Sequence, residues 1–270
     1  MTLTRGLTFD EYAAIDAVNF STLKDADKSM AHYRYRCDHP RTDTPRFAFG
    51  RAVHTAVLEP DRFALEYAVW DGGRRGTNAY KEFEAVNEGR TVLSADDYDA
   101  CLAVRDAVRA HPAASDLLRG DSEVTVTWTD PDTGLECKAR VDHINEDCIV
   151  DLKTAASTDP REFGNTVGKY LYHGQLAHYS NGVRLPGNPH IIAVEIEPPY
   201  DVVVYRLPDE ALHAGQQLVA DLLAHVAACN DTGVWPGRFS AVQDLALPNW
   251  LLAGDDTEEF GGLFGGSVHA

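Results

Sequence analysis

In Glu123–Thr129 (EVTVTWT) the apolar positions fall at every second residue, whereas stretches such as Phe47–Leu58 and Asp209–Thr232 repeat them at helical spacing. The period-two stretch predicts a strand; DPDTG follows as a turn, and Lys138–Thr154 (KARVDHINEDCIVDLKT) predicts two further strands joined by a tight turn. Ile191–Glu197 and Val202–Leu207 predict a strand pair around Pro198-Pro199. Upstream, residues 8–37 predict helix, with Thr8 and Glu11 as a capping box and Ser21 as a second N-cap. Phe47–Leu58 predicts a short apolar helix that stops before Glu59-Pro60, with Phe49, Val53, Ala56 and Val57 on one face and His54 beside it. Further helices are expected over Asn78 to about Glu88, Ser94–Arg109, from Asp159-Pro160, Tyr170–Val183 and Asp209–Thr232. The fold class expected is α/β, in one domain spanning 1–252. Its helical part covers about 8–118, its sheet core about 121–207 and its C-terminal helix about 209–232. The acidic, glycine-rich residues 253–270 are expected to be a flexible tail, solubilising or docking a partner through Phe260 and Phe264.

A 270-residue chain with 44% hydrophobic residues can bury a substantial core. It has no apolar run long enough to span a membrane and no signal-peptide plan at its N-terminus, so a cytoplasmic location and no membrane partner are expected. Five cysteines without a C-x-x-C pair exclude zinc ribbons and iron–sulfur clusters as readings. The net charge of −18 argues against nucleic acid as a ligand, since DNA affinity rests on phosphate neutralisation. The distribution reopens the question: residues 1–81 carry 12 of the 24 bases and 11 of the 42 acids, so the acidic excess lies beyond them. Arg34, Arg36 and Arg51 fall in the locally basic stretch Lys28–Arg51, and Arg74 and Arg75 in a glycine-rich loop, DGGRRGT. All five are candidate phosphate contacts, and simple solubility is the competing reading.

The candidate chemistry centres on Asp151-Leu-Lys153. An acid two residues before one of the six lysines is expected by chance, and Glu136-Cys-Lys138 is a second example. The latter is rejected because the turn between Asp132 and Glu136 leaves no room for two facing strands. Asp142, nine residues before Asp151, is different. If the turn leaves an even number of residues unpaired (Glu146-Asp147 or Asn145–Cys148), Asp142 faces Asp151; an odd number puts them on opposite faces. Facing carboxylates destabilise a hairpin unless a cation lies between them, and carboxylate oxygens are what Mg²⁺ prefers. Lys153 then lies on the same face, about 7 Å along the strand. A plain Asp151–Lys153 salt bridge is the alternative. Glu123 and His54 are further ligand candidates for a site of two ions, and Gln175 and Tyr179, at i and i+4, can face a common cleft.

Together the order GRAVH, E, V-D, D-L-K-T, Q-x-x-x-Y resembles the RecB-like branch of the PD-(D/E)xK nuclease superfamily. The flanking text (FGRAVHTAVLEPDRF, TGLECKARVD, YHGQLAHY, EIEPPYDVVVYRL), from about Ser21 to Pro236, resembles the nuclease domain of RecE-type exonuclease VIII of phages and prophages. The resemblance implies a mixed central β-sheet flanked by helices, and a 5′→3′ exonuclease acting on double-stranded DNA ends with Mg²⁺, Mn²⁺ substituting, in a bacterial host or phage-infected cell. It implies metal binding by His54, Glu123, Asp142, Asp151 and the Leu152 carbonyl, water activation by Lys153, and positioning by Gln175 and Tyr179. It also implies a ring-shaped homo-oligomer (trimer or tetramer) and a RecT-like single-strand annealing protein as partner. One departure stands out: Arg140 occupies the position two before Asp142 where many relatives have glycine.

Overall fold

The computed structural model describes residues 1–42 and 44–248; the expected tail over 253–270 lies outside them. In chain order the elements are β1 (Thr2–Thr4), α1 (Phe9–Ala14), α2 (Phe20–Leu23), a 3-10 turn (Lys24–Asp27), α3 (Met30–Asp38), α4 (Pro45–Leu58), α5 (Pro60–Glu66), β2 (Tyr67–Trp70), α6 (Asn78–Val86), β3 (Thr91–Ser94), α7 (Ala95–Ala110) and α8 (Pro112–Leu117). There follow β4 (Asp121–Thr129), β5 (Glu136–Ile144), β6 (Ile149–Ala155), α9 (Pro160–Tyr170), α10 (Tyr172–Val183), β7 (His190–Glu195), β8 (Val202–Arg206) and α11 (Asp209–Thr232). Six strands form one sheet in the order β1-β4-β5-β6-β7-β8, and β2 and β3 form a small parallel pair. Only β6 and β7 run parallel within the large sheet, joined by the α9–α10 crossover.

Two apolar clusters sandwich the sheet. On one face Leu176, Val219, Leu222, Leu223 and Val226 from α10 and α11 pack on Val124, Val126, Val141, Ile149, Ile191 and Ala193. On the other, Val53, Ala56 and Val57 of α4 and Val104 and Val108 of α7 pack on Val150, Leu152, Ile192 and Val194. The central strand β6 is therefore buried on both faces. The helices α10 and α11 approach closely at Gly215, where a Cβ would lie 2.4 Å from the His173 carbonyl oxygen.

Thr8 and Glu11 form the expected capping box. Ser21 is not a cap: Asn19, two residues earlier, accepts from Thr22 N–H, and Ser29 caps α3, so the helical stretch 8–37 divides into α1, α2, the 3-10 turn and α3. The strands β1, β2 and β3 span three or four residues each, too short for an alternation pattern to show. Beyond α11 the described residues form neither helix nor strand, and no described helix is long and apolar enough to cross a membrane. The rejected Glu136-Cys-Lys138 match has a structural role: buried Lys138 donates from Nζ to the carbonyls of Tyr12, Ala13 and Ile15, closing the C-terminus of α1.

His178 of α10 is fully buried against Trp128 and Phe20, with Nε2 3.3 Å from the Lys138 carbonyl. Burial lowers its pKa to about 4. The unfolded chain therefore binds a proton here at higher pH than the folded one does. Its contribution to stability is intact above about pH 6.5 and lost as pH falls toward 4. Urea unfolding of the wild type and of His178→Gln should show the wild type losing about 3 kcal/mol more over that interval. Equal losses would contradict the assignment.

Candidate metal centre

The β5–β6 hairpin pairs His143 with Val150 and Ile144 with Ile149, leaving Asn145–Cys148 as a four-residue turn. The Asn145 side chain accepts from the N–H groups of Asp147 and Cys148 and fixes that turn. The count is even, so Asp142 and Asp151 occupy the next row. On the other side, Ser122 pairs with His143 and Val124 with Val141, so Glu123 stands opposite Asp142. Glu123, Asp142 and Asp151 thus lie in one row across three adjacent strands.

The backbone opens at that row. Glu123 has φ +54°, a left-handed conformation that costs a non-glycine residue about 1 kcal/mol or more. Val141 and Ile144 both pack into the same cluster although they are three positions apart, so the in-out alternation of β5 slips by one between them. The ladder to β6 ends at His143, and the Leu152 N–H, which would otherwise face an absent partner, donates to Asp142 Oδ2 at 2.9 Å. His54, from the middle of α4, hydrogen-bonds the Leu152 backbone and brings Nδ1 to 3.5 Å from Asp142 Oδ2. One ligand atom each from His54, Glu123 and Asp142 lie within 4.8 Å of one another.

Electrostatics at the row are costly. Asp151 is fully buried, and burial pushes its pKa up to about 6 even though the Lys153 ammonium lies 2.5 Å away. Burial, joined for Glu123 by repulsion from Asp142, raises the pKa of both other carboxyls. Burial opposes the charge of Lys153 as well, but Asp151 and Asp142 outweigh it and hold its pKa at about 12. Its Nζ also sits 4.8 Å from the centre of the Tyr172 ring. In the metal-free chain Lys153 is thus a fixed cation. Burial and the Lys153 charge lower the His54 pKa, which favours the neutral imidazole that metals bind. Hard oxygen donors with one imidazole suit Mg²⁺ or Mn²⁺. The residues therefore fit a divalent ion.

From α10, Gln175 Nε2 donates to the Tyr179 hydroxyl at 2.8 Å and approaches Asp151 Oδ1 at 3.4 Å, so this i, i+4 pair faces the same row. The predicted arginines divide differently. Arg36 is held by Asp25 and Arg34 by Asp38, with the Arg34 guanidinium over the Trp235 ring. Both guanidinium groups are thus engaged in local ion pairs. Arg51 lies near Tyr67, and Arg74 and Arg75 sit on an exposed loop, where Arg75 donates to the Val92 carbonyl. Three further residues stand beside the row: Tyr172 and Arg140, which lie within the quoted flanking text, and Lys24, which carries no motif signal. Burial, Arg41 and Lys153 lower the Lys24 pKa to about 8.

A family model described as a PDDEXK-like domain of unknown function (DUF3799) matches residues 19–245. The fold is similar to the crystal structure of a protein from Eubacterium rectale provisionally named an exonuclease. The TM-score is 0.62 at 16% identity, covering 93% of this chain and 100% of that one. No curated protein matches the chain.

Replacing Asp142 with Asn keeps an acceptor for the Leu152 N–H while removing a buried charge. Metal-free Asp142→Asn should melt roughly 2–4 °C above wild type, and added Mg²⁺ should raise the melting temperature of the wild type only. A variant that melts lower, or is stabilised equally by Mg²⁺, would contradict this geometry.

Proposed function

This chain belongs to the PDDEXK-like DUF3799 family of the PD-(D/E)xK nuclease superfamily, and on that premise we propose that it is a metal-dependent exonuclease acting on double-stranded DNA ends. The observation that carries the reading is the row Glu123–Asp142–Asp151 with Lys153 fixed beside it. Three carboxylates sharing a buried row with an imidazole are unfavourable without a cation and serve no packing need.

In this reading His54, Glu123, Asp142 and Asp151, with the Leu152 carbonyl, would hold Mg²⁺. A divalent ion bound there supplies Lewis acidity and neutralises phosphate charge. The chain's own groups do the rest. Lys153, anchored by Asp151 and the Tyr172 ring, would present an N–H donor and a positive charge to the attacking water and the phosphate oxygen on the same side of the site. Gln175 and Tyr179 hold the far side of Asp151 and limit its rotation. Lys24, close to Lys153, would meet the phosphates of the bound strand.

The finer assignment rests on resemblance to RecE-type enzymes: 5′→3′ polarity, a 3′ single-stranded product, a ring-shaped homo-oligomer, and service to a RecT-like annealing protein. The provisional name of the Eubacterium rectale structure agrees with exonuclease chemistry.

Linear and covalently closed circular duplex DNA, each with Mg²⁺, separate the alternatives in one assay. The account expects loss of the linear duplex only. Lys153→Ala should slow degradation about 10²–10³-fold, and Asp142→Ala should reduce it to background while DNA binding survives. Cutting of the circle would make the protein an endonuclease. Inactivity of the wild type with both Mg²⁺ and Mn²⁺ would point to a DNA-end-binding adaptor, and full activity of Asp142→Ala would overturn the site.

A further inference from the structure

The carboxylate row already contains cations of its own, and one of them comes from an unexpected quarter. Arg140 Nε donates to Glu123 Oε2 at 2.5 Å, and both side chains are mostly buried, 15% and 17% exposed. A second nitrogen of the same guanidinium, Nη1, donates to the Leu7 carbonyl at 3.2 Å. The N-terminal segment that carries Leu7 is itself pinned, by β1 pairing with β4, by Lys138 on the last carbonyls of α1 and by Arg5 on Asp121. The Arg140 charge is therefore fixed in place and cannot swing away as a surface arginine would.

Counting charges at the row then gives a definite result. Glu123, Asp142 and Asp151 contribute three negative charges, and Arg140 and Lys153, each in contact with one of them, contribute two positive ones. A ligating imidazole adds none. A single divalent ion more than neutralises the remaining negative charge. A second would enter a buried, cation-rich site against the repulsion of the first ion, of Lys153 and of Arg140, and such repulsion is strong where water screens little. Ligand number alone suggests two ions; the guanidinium on Glu123 changes that count. Glu123 Oε2 is taken by Arg140, which leaves the carboxylate one oxygen to offer.

We propose that Arg140 is a positioning residue that occupies, as a fixed monovalent cation, the place a second metal ion would fill, so that the DNA-free chain binds one divalent ion, at His54, Glu123 and Asp142. This inference rests on the metal-centre reading above.

Ion counting with Mn²⁺ on the full-length protein, by equilibrium dialysis and by electron paramagnetic resonance of the free ion, tests it without reference to activity. The wild type should bind one Mn²⁺ per chain. Arg140→Met, similar in length and uncharged, should bind two, or bind the first at least tenfold more tightly. Arg140→Lys, which keeps the charge, should return to one. Two ions in the wild type would overturn the proposal, as would one ion in the wild type with count and affinity unchanged in Arg140→Met. Thermal unfolding establishes that each variant is folded; if Arg140→Met is not, the wild-type count and Arg140→Lys still decide. Failure of the underlying reading looks different: no Mn²⁺ binds the wild type, and Asp142→Ala behaves the same way.

Discussion

A backbone N–H in the middle of a sheet must find an acceptor, and at Leu152 the acceptor is not the neighbouring strand but the Asp142 carboxylate. That substitution organises the site. It ends the β5–β6 ladder after two pairs and puts a carboxylate where a carbonyl would lie. It also holds Asp142 beside Asp151 and Glu123 despite their charges. The left-handed turn at Glu123 and the slipped alternation of β5 are the backbone's response on the other side of the same row. Strain and repulsion gathered at one row, in a sheet otherwise well packed on both faces, mark a place shaped for a ligand rather than for stability.

The two helical layers supply what the row lacks, each from its own face. The layer of α4 and α7 brings His54 to the Leu152 backbone and to Asp142. The layer of α10 brings Gln175 and Tyr179 to Asp151, and Tyr172 at its start lies against Lys153. Because β6 is buried on both sides, a change on either layer is transmitted to Asp151 and Lys153 through one strand. The N-terminal segment joins this arrangement through Lys138 and Arg140, alternate residues on the face of β5 turned away from α10 and α11.

Much of this was legible in the chain. Turn parity posed the question of whether Asp142 faces Asp151, which the four-residue turn Asn145–Cys148 answers, and the spacing of Asp132 and Glu136 excluded the competing acid–lysine pair. The long amphipathic helix Asp209–Thr232 matched its sequence pattern to the residue. What escaped has physical reasons. Strands of three or four residues give no period to count. Ser21 lost to Asn19 because a helix start is chosen by which side chain reaches a free N–H, and spacing alone does not decide that. The kink at Glu123 reflects repulsion among residues far apart in sequence, and the Arg140–Glu123 pair joins positions 17 apart on neighbouring strands. The Arg36–Asp25 pair likewise joins residues eleven apart in different elements.

The central claim is that this row is a metal centre. Anomalous diffraction from crystals grown with Mn²⁺ tests it most directly, since it locates the ion without any assumption about activity. The account predicts a peak bounded by His54, Glu123 and Asp142, with the Leu152 carbonyl and Asp151 alongside. A well-ordered site with no peak there, or Mn²⁺ bound only elsewhere on the chain, would contradict it.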